Sequence, residues 1–185
     1  SSAASDVYKR QDIILVKGVG IPTEMLEDGA DPNKEWNVWK LYPAVVTESD
    51  FAMHEEKFNV KLPECIKAFF SVYHHRFDDA IGRNYINNPL YELERSYNHH
   101  LADNGYLPFG WDEDSFFIRC FDLTNMPDEE KCPIVEIDHE PFFDLQYDAE
   151  EKGRLVPKEE LLKLFRPVAN NFYEYLNGVY NDTIN

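Results

Sequence analysis

Leu107-Pro108-Phe109-Gly110-Trp111-Asp112-Glu113-Asp114-Ser115-Phe116-Phe117-Ile118-Arg119-Cys120-Phe121-Asp122-Leu123 is the stretch on which the fold turns. From Phe116 to Phe121 every position except Arg119 is apolar, the pattern of a short strand covered on both faces. Such a strand needs a neighbour on each side, so the chain must build a sheet around it. Asn104-Gly105 is a strong turn signal ahead of it, and the acids Asp112, Glu113 and Asp114 fall in the turn that precedes the strand. Those acids are a metal or catalytic loop, a contact surface for a partner, or the solvated end of a hairpin.

Downstream, Ile134-Val135-Glu136-Ile137-Asp138-His139-Glu140 alternates with a period of two, so it reads as a second strand. Val135, Ile137 and His139 point one way, Glu136, Asp138 and Glu140 the other. Three like charges are not buried together, so that second face is expected to be wet or to meet a cationic partner. Pro157 then opens a helical stripe through Leu161, Leu162 and Phe165; after an interruption at Pro167 it continues through Val168, Phe172, Tyr175 and Leu176, giving a helix over 158–178.

Upstream, Thr47 and Asp50 form a capping box that starts a helix over 48–58, and Asn59 can take the left-handed conformation that ends it. Pro63 suits the first turn of a second helix over 63–73, with Ile66, Phe69 and Phe70 on one face. Leu90, Leu93, Tyr97 and Leu101 recur at helical spacing and predict another helix. Ile13-Ile14-Leu15-Val16 reads as a strand or docking segment, and SSAASDVYKRQ (1–11) as a leader outside a single domain spanning 12–185. Phe58, Leu62, Phe69, Ile118, Ile137 and Phe172 are expected in the core.

The 185 residues are 43% hydrophobic and 15% aromatic, enough to bury one sizeable core. With 35 acidic against 18 basic residues the formal charge is −17, which repels nucleic acid and anionic membranes. No stretch approaches the roughly 20 apolar residues of a membrane helix, so a cytoplasmic location is expected. Cys65, Cys120 and Cys132 are odd in number and lack CxxC spacing, which argues for reduced, buried thiols rather than a disulfide framework or zinc knuckle.

Four segments carry a resemblance. Glu55-Glu56-Lys57-Phe58-Asn59-Val60-Lys61-Leu62-Pro63-Glu64-Cys65-Ile66-Lys67-Ala68-Phe69-Phe70 resembles the signature of the SUKH superfamily, an acidic helix, a small turn, Leu-Pro and an aromatic-rich helix. In the same order, Leu107-Pro108-Phe109-Gly110 looks like the start of that family's central hairpin and Pro133 to Glu140 like its next strand. Ala169-Asn170-Asn171-Phe172-Tyr173-Glu174-Tyr175-Leu176 looks like its closing helix. The likeness covers roughly 47–180, without the central insert. Two departures stand out: Tyr73-His74-His75 replaces a frequent Asn-Gly step, and Trp111-Asp112-Glu113-Asp114 replaces a loop that is often glycine-rich. The resemblance implies an α+β domain with a mainly antiparallel sheet flanked by helices and without an active site. It also implies a bacterial immunity protein that binds and blocks a polymorphic toxin, or, in a fungal branch, a regulator of cell-wall synthesis.

Competing chemistry is thinly represented. His74-His75, His99-His100 and His139-Glu140 supply zinc-type ligands, but adjacent histidines diverge on a helix or strand and HExxH is absent. Asp112 and Asp114 lack the rest of a calcium loop. There is no GxSxG elbow, no cysteine-nucleophile signature, and Lys17-Gly18-Val19-Gly20 is a lone GxG. The expectation is therefore no cofactor, no metal and no catalysis, with a small hydrolase or metal-dependent enzyme as the alternative from another class. The partner expected is a cognate toxin domain, of the basic kind that acts on nucleic acid, met by a monomer or weak homodimer. Trp111, Asp112, Glu113, Asp114, Glu136, Asp138 and Glu140 are the expected contact residues, the acids steering encounter and Trp111 acting as anchor.

Overall fold

The computed structural model describes residues 14–16, 22–31, 33–34, 36–76, 81–181 and 184. The segments 1–11 and 17–20 discussed above, and Ile13, lie outside them. Strand β1 (Ile14–Val16) pairs antiparallel with β2 (Trp36–Val38) as a separate ribbon.

Helix α1 (Glu48–Phe58) begins at the expected box: Asp50 N–H donates to Thr47 Oγ1, and Thr47 N–H returns the bond to the Asp50 carboxylate. Asn59 ends it in the left-handed region, at φ 50°. Helix α2 (Glu64–Phe70) has no side-chain cap of its own. Glu129, far along the chain, supplies one: its carboxylate accepts from the N–H of Glu64 at 2.6 Å and of Cys65 at 2.9 Å. The helix stops short of 73, because Tyr73 leaves it to bridge Pro43 and His74 N–H donates to the Tyr42 carbonyl.

The single helix expected through Leu90–Leu101 is two, α3 (Tyr91–Ser96) and α4 (His99–Ala102). Tyr97 is extended between them and Asn98 caps the second by accepting from His100 N–H, a local bond that competes with a continuous helix.

The central sheet is antiparallel, in the order β3 (Tyr106–Trp111), β4 (Phe117–Asp122), β5 (Ile134–Asp138), β6 (Phe165–Ala169). β4 is internal, as its composition requires, and 118–121 are all buried. Phe116, however, lies outside the strand and is 52% exposed. β5 ends at Asp138; His139 and Glu140 belong to α5 (His139–Glu151), which Asp138 caps by accepting from Glu140 N–H. The helix expected over 158–178 is three elements: α6 (Lys158–Leu164), β6, and α7 (Phe172–Tyr180). Pro167 has no N–H to give, which breaks a helix but suits an edge strand, and Asn171 restarts the helix by accepting from Glu174 N–H.

Helices cover both faces of the sheet. On one, Leu107, Phe109, Phe121 and Ile134 meet Phe51, Ile66, Phe69, Leu93, Phe172 and Tyr175. On the other, Tyr106, Ile118, Cys120 and Ile137 meet Leu101, Phe142, Ala149 and Leu161. Leu62, Phe69, Ile118, Ile137 and Phe172 are buried as expected. Phe58 is not: it is half-buried at the helix end, its ring 4.3 Å from Tyr97 and 4.8 Å from His54. The architecture is α+β.

Candidate functional site at the hairpin end

The turn between β3 and β4 is organised by Asp112. Its N–H donates to the Phe117 carbonyl at 3.0 Å, and its Oδ1 accepts from the Phe117 N–H at 2.7 Å. Its own carbonyl takes the N–H of Ser115, which turns the chain at φ 59°. Asp112 is thus partly buried and bonded into the hairpin, whereas Glu113 and Asp114 at the tip are exposed.

β4 and β5 are neighbours, with Phe117 opposite Asp138, so the hairpin tip and the start of α5 meet at one end of the sheet. Trp111, Asp112, Glu113, Asp114, Asp138 and Glu140 gather there. Their roles divide: Asp138 caps α5, while Glu140 is exposed in its first turn. Glu136 lies deeper. It sits opposite Arg119 on β4 and Arg166 on β6, and its Oε2 is 3.2 Å from Arg119 Nε. Burial pushes the Glu136 carboxyl above the usual carboxylate range, opposed by the two arginines. The face expected to be wet is therefore shared: Ile134 enters the core, Glu136 forms a half-buried ion pair, and only Asp138 and Glu140 approach the rim.

His139 joins hairpin to helix. Both its backbone N–H, at 3.1 Å, and its ring Nδ1, at 2.8 Å, meet the Phe116 carbonyl. A carbonyl only accepts, so Nδ1 carries the proton and, in the neutral ring, Nε2 is the acceptor. Around this ring stand Trp111 at 5.9 Å, Phe116 at 6.1 Å and Phe143 at 5.6 Å between centroids. Phe116, Phe143 and the His139 ring were not among the expected contact residues. The signal was present: Asp138-His139-Glu140-Pro141 is a capping residue followed by an acid and a proline in the first turn, and Phe143 and Tyr147 follow four apart.

Three of the four histidines in the two His-His pairs are packed inside, and His99 is exposed. His74, His75 and His100 are buried, and His100 Nδ1 accepts from Val156 N–H at 3.1 Å, so burial holds its pKa down. Among the described residues no three His, Cys, Asp or Glu side chains are grouped to hold a metal ion. A groove of about 410 Å³ beside the hairpin is lined by Arg83, Arg95, Trp111, Asp112, Glu113 and Ser115 among others, and no histidine is among its described lining residues. Burial also raises the Cys65 thiol to about 12 and lifts those of Cys120 and Cys132, which removes thiolate character. No described helix is long and apolar enough to cross a membrane.

No curated protein matches the chain. A family profile does, over residues 45–178, from just before the α1 cap to the last turn of α7. Proteins of that family are generally non-catalytic and typically bind protein partners. The matched span takes in the Leu-Pro corner between α1 and α2, the whole central sheet and the helices on both its faces: the chain belongs to the SMI1/KNR4 family (SUKH-1).

Proposed function

We propose that this protein is a non-enzymatic immunity protein that binds a cognate, basic toxin in the bacterial cytoplasm and neutralises it by covering its working surface. The observation that carries the reading is the composition of the hairpin end. The turn 111–117 holds three carboxylates and α5 holds five, and neither segment contains a lysine or arginine. In a chain of net charge −17 the exposed Glu113, Asp114 and Glu140 set anionic charge at the end that holds Trp111, with Arg83 and Arg95 confined to the adjoining groove, a combination suited to rapid, steered association with a cationic protein. Glu113, Asp114 and Glu140 supply the steering charge. Trp111, held against His139, supplies the anchor, and Asp112, Glu136 and Asp138 hold the surface in shape.

The test is co-expression with the toxin domain encoded beside the gene. Rescue of growth, together with a stable one-to-one complex on size exclusion, supports the reading. A protein that leaves toxicity untouched and instead co-purifies with cell-wall synthesis regulators assigns the chain to the regulatory role of the same family.

A further inference from the structure

Phe116 is 52% exposed and Phe143 43%, both beside His139 at the hairpin end, and Tyr147, 66% exposed, lies one turn beyond Phe143 along α5. His139, Phe143 and Tyr147 are spaced four apart on α5 and share one helix face. The rings of Trp111, Phe116 and Phe143 all centre within about 6 Å of His139. Exposed aromatic area of this kind, contiguous and rimmed by polar groups, marks a contact surface. The exposed charges flanking these rings in the chain, Glu113, Asp114, Glu140 and Asp144, are all anionic, while Arg83 and Arg95 line the groove beside Trp111 and Arg166 lies over the Phe117 ring. A second copy of this chain presents the same negative face and is repelled, and a nucleic acid is repelled likewise.

The occupant must be cationic and must gain from aromatic faces as well as from carboxylates. A guanidinium does both, lying flat on a ring while its N–H fork meets carboxylates in pairs; an ammonium is a compact, strongly hydrated charge and does neither as well. In its neutral form the His139 ring adds an acceptor, Nε2, for a guanidinium N–H, since its Nδ1 proton is engaged by Phe116. We infer that the aromatic stripe of Phe116, His139, Phe143 and Tyr147 binds an arginine-bearing segment of a protein partner and selects arginine over lysine. This rests on reading the hairpin end as a partner surface, but not on the partner being a toxin.

The probes are a capped peptide of alternating glycine and arginine and its glycine–lysine counterpart of equal length, titrated by calorimetry into the full chain at low ionic strength. The arginine peptide is expected to bind about fivefold more tightly. Phe143→Ala and Tyr147→Ala should each lower arginine affinity about two- to fivefold and leave the lysine peptide unchanged. Tyr173→Ala, an equally exposed ring on α7, should change neither. Glu113→Gln with Asp114→Asn should weaken both peptides alike. All these side chains are exposed, and circular dichroism confirms that each variant folds. Equal affinity for the two peptides, no binding of either, or an arginine preference that survives Phe143→Ala with Tyr147→Ala overturns the inference. The co-expression result is separate: arginine preference without rescue retires the toxin and keeps the surface chemistry, and rescue without arginine preference does the reverse.

Discussion

Arg119 Nε lies 3.2 Å from Glu136 Oε2, the two residues directly opposite each other across β4 and β5. Arg119 is 4% exposed, and its guanidinium stands 5.8 Å from the centre of the buried Tyr175 ring. At that depth an ion pair gains little over an apolar pair, but removing one member strands the other charge. Arg119→Met is expected to cost about 3 kcal/mol, and Arg119→Met with Glu136→Leu to recover most of it. Urea unfolding of the two single variants and the double variant measures this. Additive losses would show that the two charges are not coupled.

Asp112 and its neighbours Glu113 and Asp114 have the same charge and different work. Asp112 accepts the Phe117 N–H and closes the hairpin, so Asp112→Ala should lower stability by about 2 kcal/mol, the scale of a hydrogen bond to a charged group. Glu113→Gln with Asp114→Asn touches only exposed side chains and should stay within about 0.5 kcal/mol of the parent. Thermal or urea melts of the two variants distinguish them. A loss as large at 113 and 114 as at 112 would mean that the tip itself carries structure.

Buried histidines set the acid limit of the fold. His54 and His74 are each 4% exposed, and burial, the largest cause, pushes both from 6.5 down to about 4. Their folded-state values lie below their unfolded ones, so between about 6.5 and 4 the unfolded chain takes up protons that the native state refuses. Stability should therefore be full above that window and fall as pH drops through it, by up to about 3 kcal/mol per histidine. His100 acts in the same direction: burial holds its pKa down, and a protonated Nδ1 would also lose the Val156 N–H it now accepts. The urea midpoint measured from pH 7 to 4.5 should fall steadily, and His54→Gln should reduce the slope by about one proton. A midpoint indifferent to pH across this range would contradict the burial of these rings as neutral groups.

Local signals in the sequence were sufficient wherever one residue decides one bond. The Thr47–Asp50 box, the left-handed Asn59, the Asn104-Gly105 turn and the doubly covered β4 all stand where the chain chemistry puts them. Signals failed where a side chain works at long range or where two periodicities overlap. Glu129 caps α2 from across the molecule, and nothing in the α2 sequence announces it. The stripe from Leu161 to Leu176 satisfies a helix on paper, yet Pro167 on the edge of the sheet and Asn171 as a cap divide it into helix, strand and helix. At the hairpin end the acids were legible because charge is visible in composition. The aromatic stripe was not, since reading 134–140 as one strand placed His139 on the wrong element and hid the helix that aligns it with Phe143 and Tyr147.

Steering and anchoring should separate in kinetics against the cognate toxin. Glu113, Asp114 and Glu140 are exposed charges at the rim, so replacing them by Gln, Asn and Gln removes long-range attraction and leaves the contact surface nearly intact. Association should slow about tenfold at low salt, and the difference should shrink at about 0.5 M salt, where the Debye length falls to a few ångströms. Trp111 is different: half-buried against His139, it offers a ring edge rather than a charge. Trp111→Phe should keep the packing on His139 while trimming the part that reaches a partner, raising the dissociation rate at both ionic strengths with little change in association. Trp111→Ala should raise it further, at a cost of about 2 kcal/mol or more if the ring fills a pocket. Stopped-flow association and surface-plasmon dissociation at the two salt concentrations give the four rates needed. An association rate unchanged at low salt in the triple variant would leave the hairpin tip as solvated surface and move the interface elsewhere on the fold.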